Sequence, residues 1–195
     1  MRQEEVWDAI ARPWKEFRHY DVSHVAGFLK GKEGRVLDLG CGSGRNFLKR
    51  EGLDFYGLDF SAEMVRLARE MDYVEVKKGE VFDISYEVGF FDFVVFSAVL
   101  HCVEDEENRM AALRECYRVL RKGGEMIISV WGRGEKRVKN RNKEGFVPWS
   151  VDGRKFERYT YVYDLEELRK DLESVGFRIL KEEEGRNLVF WVRKD

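Results

Sequence analysis

The chain has 195 residues, 44% of them hydrophobic, which suits one domain with a sizeable core. Its 35 Lys and Arg nearly balance 37 Asp and Glu, which excludes a generally basic nucleic-acid coat but leaves room for a local basic patch. The longest apolar run, Phe90 to Leu100, is interrupted by Asp92 and too short to span a bilayer, and Met-Arg-Gln-Glu-Glu at the start is no signal peptide. A cytoplasmic protein without membrane contact is expected. Charged residues make up 37% of the chain while Gln3 and Thr160 are the single examples of their types, a usage expected of a protein from a hot environment. Cys41, Cys102 and Cys116 have no metal-ligand spacing and read as buried thiols.

In chain order, Glu4 to Phe17 reads as one or two short helices interrupted at Pro13. Val6, Trp7, Ile10, Trp14 and Phe17 form an apolar stripe. The stripe is either plain packing or the underside of a helical lid spanning residues 1–30. Ser23 is expected to cap a helix running to Lys30. Val36 to Leu39 has the length and branching of a buried parallel strand. It ends in three glycines at alternate positions, Gly40, Gly42 and Gly44, and a helix-compatible stretch, Asn46 to Arg50. Strand, glycine loop and helix start are where a doubly wound α/β sheet opens its ligand crevice.

The loop's spacing discriminates between ligands. A dinucleotide fingerprint needs Gly-x-Gly-x-x-Gly, and Arg45 stands where its third glycine belongs. The pattern is instead Asp38-x-Gly40-x-Gly42-x-Gly44. A carboxylate at the strand end suits a ligand carrying an ammonium or sulfonium better than a pyrophosphate. This segment resembles the first motif of the class I S-adenosylmethionine-dependent methyltransferases, so S-adenosyl-L-methionine is the implied cofactor.

Asp54 to Leu58 is the second strand and ends at Asp59, about where α/β nucleotide sites carry a ribose-binding carboxylate. Phe60 and Met64 are placed to pack on a purine, or to be core. After the third strand, Glu75 to Lys77, the resemblance implies an acidic residue for the adenine amino group and an apolar neighbour under the ring. Glu80 and Val81 match, with Asp83 as second choice. Phe91 to Ser97 is the fourth strand, and Ser97-Ala-Val-Leu-His101-Cys leads into the active-site mouth. A helix from Glu106 to Leu120, a fifth strand from Glu125 to Trp131 and a last helix from Asp164 to Val175 follow. Arg178 to Glu184 and Leu188 to Arg193 look like the hairpin that closes class I methyltransferase sheets. The expected fold is a mostly parallel, seven-stranded Rossmann-like α/β sheet with an antiparallel C-terminal strand, in one domain over 1–195.

Residues 132–163 are an insertion that a minimal fold does not need. From Gly132 to Arg158 it carries a net charge of +5, leaving −7 for the remainder. Lys136, Arg137, Lys139 and Arg141 lie near the aromatic residues Trp131, Trp149, Tyr159 and Tyr161. Charge with aromatic platforms suits single-stranded or looped nucleic acid; the plain alternative is a solvated loop anchored by a few rings.

Several segments together resemble the tRNA wobble-uridine carboxymethyl methyltransferases, which esterify the carboxylate of 5-carboxymethyluridine. They are Ile10-Ala-x-x-Trp14-x-x-x-Arg18, Ala98-Val-Leu-His101, Ser129-Val-Trp131, Val147-Pro-Trp149 and Arg158-Tyr-Thr-Tyr-Val-Tyr163. Cys102 and Thr160-Tyr161 depart from that family's pattern at the substrate mouth. The resemblance implies tRNA as substrate and a small zinc-binding activator protein as partner. Arg18 and Arg158 would bind the acceptor carboxylate or the cofactor's own. His101 would orient a carboxylate acceptor, or take the proton from a phenol or amine. A small-molecule O- or N-methyltransferase and a non-catalytic cofactor-binding scaffold are the alternatives.

Overall fold

A computed structural model describes residues 1–17, 22–138 and 142–195. The first helix, α1 (Gln3–Phe17), is continuous through Pro13, where a break was expected. Pro13 removes one backbone hydrogen bond, but Val6, Ile10 and Ala11, in the turns before it, are buried and hold the helix to the domain. The side chain of Phe17 lies outside the described residues. Helix α2 (Ser23–Leu29) begins at Ser23, with Val22 rather than Ser23 at the cap position.

Strands β1 (Gly34–Leu39), β2 (Leu53–Asp59), β3 (Glu75–Lys78), β4 (Phe91–Ser97), β5 (Leu120–Trp131), β8 (Phe177–Glu184) and β9 (Asn187–Lys194) form one sheet in the order β3-β2-β1-β4-β5-β9-β8. The β1–β2, β1–β4, β2–β3 and β4–β5 pairs are parallel, and β9 runs antiparallel to both β5 and β8. This is the expected seven-stranded sheet. Its order reverses between β1 and β4, so the carboxyl ends of these strands open the crevice at the switch point. Helix α3 (Ala62–Ala68) follows β2, and helices α4 (Glu106–Val119) and α5 (Leu165–Val175) cover one face, burying Leu113, Cys116, Leu168 and Leu172 against Phe96, Ile128 and Phe190. Val25, Phe28 and Leu29 of α2 pack on Val36, Phe55, Phe93 and Ile127 on the other face. Among the described residues no helix is long and apolar enough to cross a membrane.

One local expectation is corrected. Asn46 to Arg50 forms turns and irregular chain instead of a helix. Gly44 sits at φ +90, a left-handed conformation that does not propagate a helix. Downstream, the Arg50 guanidinium donates to the carbonyls of Leu29 and Lys32 and pulls the chain under the end of α2. The crevice therefore has no helix N-terminus directly after the glycine loop. The insertion, in turn, is ordered as a hairpin of β6 (Glu144–Val151) and β7 (Arg154–Tyr161), paired from Glu144↔Tyr161 to Val151↔Arg154. Asp152 and Gly153 turn it, with φ +47 and +75. A two-residue Asp-Gly between strands is a strong hairpin signal, and it is present in the sequence.

Candidate active site

A cavity of about 660 Å³ opens over the carboxyl ends of β1, β2, β4 and β5, within the size range of small-molecule sites. Gly40, Gly42, Asp59, Phe60, Met64, Glu80, Val81, Ser97, His101, Trp131 and Arg158 all line it, together with Trp7 and Trp14 of α1. With the two tryptophans, the fold brings these residues together from seven separate segments.

The glycine loop supplies the floor. Gly42 stands at φ +55, and a Cβ there would meet only the Met64 sulfur, at 3.9 Å. The space beside the backbone is open to a ligand. Gly40, at φ +68, is required by packing instead, because a Cβ would fall 2.5 Å from the Val99 side chain. The Gly42 N–H donates to Asp59 Oδ2 at 2.8 Å, and the Ser61 N–H donates to Asp59 Oδ1 at 3.0 Å. These two bonds fix the carboxylate at the end of β2. Burial nonetheless pushes the Asp59 carboxyl up to about 6, and the nearby Asp38 and Glu80 charges push the same way. A buried carboxylate in this state gains from further hydroxyl donors. Met64 and Val81 are buried beside it, and Glu80 stands exposed at the rim.

Asp38 and Gly44 do not line the cavity. Asp38 is fully buried beneath the loop, accepting from Asn46 Nδ2 at 2.9 Å and from the Tyr73 hydroxyl at 2.7 Å. It braces the glycine loop rather than facing a ligand's cationic centre, as its position in the sequence suggested. A Cβ on Gly44 would lie 2.9 Å from Met71 Cγ, so this glycine serves packing.

At the other end lies Arg158. It is 3% exposed, and its guanidinium carbon lies 4.7 Å from the Trp14 ring centroid, 5.3 Å from Trp149 and 5.8 Å from Trp7. Its Nε is buried without a hydrogen-bond partner, and no carboxylate of the described residues forms an ion pair with it. Burial lowers its pKa to about 10, and the nearby Arg137 charge adds to the effect. The aromatic box offsets part of that cost through ring quadrupoles, but an anion in the cavity would offset far more. His101, 2% exposed, stacks on Trp131 with ring centroids 4.8 Å apart and planes 24° apart. Ser97 Oγ lies 2.9 Å from His24 Nε2 and 3.0 Å from Ser129 Oγ. His24 has no signal in the sequence that ties it to the site.

The expected RNA platforms are placed differently. Tyr159 is buried, and its hydroxyl accepts from Arg109 Nη1 at 3.2 Å. The Arg109 guanidinium also lies 3.9 Å from the Tyr161 centroid, and the Tyr161 hydroxyl donates to Glu167. Both tyrosines are struts between β7 and the α4–α5 layer, away from the cavity, because a buried Arg needs aromatic and hydroxyl partners. Arg137 is tied to Glu135 at 2.8 Å and lies 4.4 Å from the Trp131 centroid, so it is no free surface cation. Trp149 packs on Trp14 at 4.8 Å rather than standing open. Lys136, Arg154 and Lys155 are exposed. Arg18, Lys139 and Arg141 lie outside the described residues.

Residues 37–128 match the family model described as a methyltransferase domain. The tRNA (carboxymethyluridine(34)-5-O)-methyltransferase alkbh8 of Xenopus tropicalis is 34% identical over 140 residues, covering 71% of this chain. The chain spans only 22% of that relative's length. A protein of Encephalitozoon cuniculi named as a methyltransferase is 30% identical over 156 residues, covering 76% of this chain and 72% of its own length. Among solved structures, the methyltransferase in complex with the Haloferax volcanii Trm112 methyltransferase activator superposes with a TM-score of 0.73. It is 18% identical, over 99% of this chain and 98% of its own, which shows a shared fold.

The cavity fits the cofactor of such proteins. Asp59 offers an anchored carboxylate to a ribose diol, Gly42 leaves room beside the backbone, and Met64 and Val81 form an apolar slot. Glu80 at the slot's rim can accept from a purine amino group.

Proposed function

The chain belongs to the S-adenosylmethionine-dependent methyltransferases, and on that footing we propose that it esterifies the side-chain carboxylate of a modified wobble uridine in tRNA. The observation that carries this reading is Arg158, a buried guanidinium on the cavity wall with no carboxylate partner among the described residues. A site that holds an uncompensated cation is built for an anionic ligand.

S-adenosylmethionine, when bound, supplies an electrophilic methyl group on a sulfonium. A carboxylate with a pKa near about 4 is ionised at neutral pH and needs no general base. Arg158 holds that carboxylate and fixes its approach, which is where most of the rate gain from orientation arises. His101, stacked on Trp131, orients the acceptor without taking a proton. α1 and β7 roof the cavity and exclude water. The Gln3 side chain ties them, accepting from the Tyr159 N–H at 2.9 Å and donating to the Glu157 carbonyl at 3.3 Å.

The name of the Xenopus tropicalis relative supports the wobble-uridine substrate. An activator protein as partner is supported by the likeness to the Haloferax volcanii methyltransferase. The internal roles of Tyr159 and Tyr161 favour a second reading, a small carboxylic acid as acceptor. The test is mass spectrometry of tRNA nucleosides after incubation with S-adenosylmethionine, with and without the activator. A methyl ester on carboxymethyluridine is expected. Methyl transfer to small carboxylic acids alone would select the second reading.

A further inference from the structure

The first turn of the insertion holds an ion cluster outside the cavity wall. Glu135 is 1% exposed. Its Oε1 accepts from the Arg137 N–H at 3.1 Å and from Arg137 Nε at 2.8 Å, and its Oε2 accepts from Arg186 Nε at 2.5 Å. Arg186 belongs to the turn joining β8 and β9. The two turns touch backbone to backbone, since a Cβ on Gly134 would lie 2.1 Å from the Gly185 carbonyl oxygen. Arg137 in turn lies against the Trp131 ring, and Trp131 is the surface on which His101 stacks. Contacts therefore run without a gap from the terminal hairpin to the cavity.

We infer that Glu135 is a positioning residue for the reaction, holding Arg137 against Trp131 and so fixing the plane on which His101 is oriented. A guanidinium without a carboxylate partner leaves an aromatic face for water, where the cation–π attraction falls to a fraction of its desolvated strength. Trp131 also lines the cavity, so a tilt of its ring, once Arg137 is released, changes the reaction space. Reorienting an acceptor-contacting group by a fraction of an ångström lowers rate steeply while leaving ground-state binding nearly intact. The charge state agrees with this arrangement: the two arginines draw the Glu135 carboxyl down to about 2, against the effect of burial. It stays ionised, and Arg137 stays held, throughout the neutral range.

The deciding measurement is proton NMR of the His101 imidazole in the cofactor-free protein, assigned by the peak lost in His101→Asn. Stacking on an indole shifts imidazole protons upfield. Glu135→Gln and Arg137→Met are each expected to lose most of that shift, and Glu135→Asp to retain part of it. An unchanged shift in Glu135→Gln, with only a lower melting temperature, would make Glu135 a mere anchor of the turn and overturn the proposal. Should Glu135→Gln fail to fold, Arg137→Met decides by the same criterion. A second arm rests on the function proposed above. With tRNA as acceptor, kcat of Glu135→Gln falls roughly ten- to hundredfold at nearly constant KM, and the loss shrinks in a His101→Asn background. An equal loss in both backgrounds would count against the proposal. A wild type inactive on tRNA refutes the substrate and leaves the NMR arm standing.

Discussion

The Arg158 guanidinium lies 4.7 Å from the Trp14 ring centroid, one of several contacts through which the first helix and the insertion close over one end of the cavity. Arg158→Ala removes both the roof contact and the proposed anchor for the acceptor carboxylate. Loss of a charge-assisted bond of about 1.5–3 kcal/mol corresponds to a roughly ten- to hundredfold drop in kcat/KM. Arg158→Lys is expected to restore little, because an ammonium lacks the planar fork and the stacking. Calorimetry separates the two anions that Arg158 could hold. Unchanged S-adenosylmethionine affinity in Arg158→Ala assigns the residue to the acceptor. A tenfold loss, absent for 5′-methylthioadenosine, assigns it to the cofactor's carboxylate.

Asp59 sets a pH dependence on cofactor binding. Its carboxyl is raised to about 6 in the free protein, and the ionised form is the better acceptor for two ribose hydroxyls. Above about pH 6 affinity is expected to be flat. Below it, part of the binding energy is spent on removing a proton, and affinity falls by up to about tenfold per pH unit. Asp59→Asn should bind more weakly at pH 7.5 and show a much shallower decline toward pH 5. A slope identical to wild type would remove Asp59 from the cofactor site. Asp38 and Glu80 titrate in the same field, so the observed midpoint belongs to the group of three.

The cations of the insertion divide into those already paired and those left to solvent. Arg133 and Lys143 meet Asp164 and Glu167, Arg137 meets Glu135, and Lys155 meets Glu157 in an exposed pair that a phosphate can displace. If tRNA docks on this hairpin, Lys136, Arg154 and Lys155 are the exposed donors to its phosphates. The triple variant to Ser should weaken tRNA binding and lower the slope of log K against log salt by up to about 0.7 to 0.9 per lost contact. Cofactor affinity should not change. An unaltered slope would leave these residues as a solvated face.

What could be read from the sequence follows what is local in it. Val36 to Leu39 and Phe91 to Ser97 are apolar runs of strand length, and Gly40 and Gly42 announce their backbone requirement directly, so the sheet and the cofactor end of the cavity were legible. The segment Asn46 to Arg50 was not, because its conformation is decided by Arg50 reaching carbonyls at Leu29 and Lys32, a contact with no sequence signature. Pro148 inside β6 hid the hairpin, since proline demotes a strand, although Asp152-Gly153 marked its turn. The role of Arg158 depends on Trp7 and Trp14 of α1 converging with Trp149 of β6, which lies 135 residues beyond Trp14 in the chain. A list of basic residues could not distinguish that buried cation from the surface ones around it.

His101 separates an ionised acceptor from a protonated one. It stacks on Trp131 at 4.8 Å, is 2% exposed and lines the cavity, so its ring is held in place beside the reaction space. If the acceptor is a carboxylate, it is already a nucleophile at neutral pH, and the single-turnover rate should be nearly flat from about pH 6.5 to pH 9. His101→Asn should then keep measurable activity, because an amide can still donate a hydrogen bond, and Arg158→Ala should lose more than His101→Asn does. A phenol or amine acceptor reverses that order, since the reaction then needs a base. The rate would rise with pH through a histidine-like midpoint near about 6.5, and His101→Asn would fall by roughly a hundredfold or more. The measurement is a pH–rate profile for wild type and both variants with cofactor in excess. A steep rise together with a tolerant Arg158→Ala would refute the carboxylate acceptor and leave the family assignment untouched.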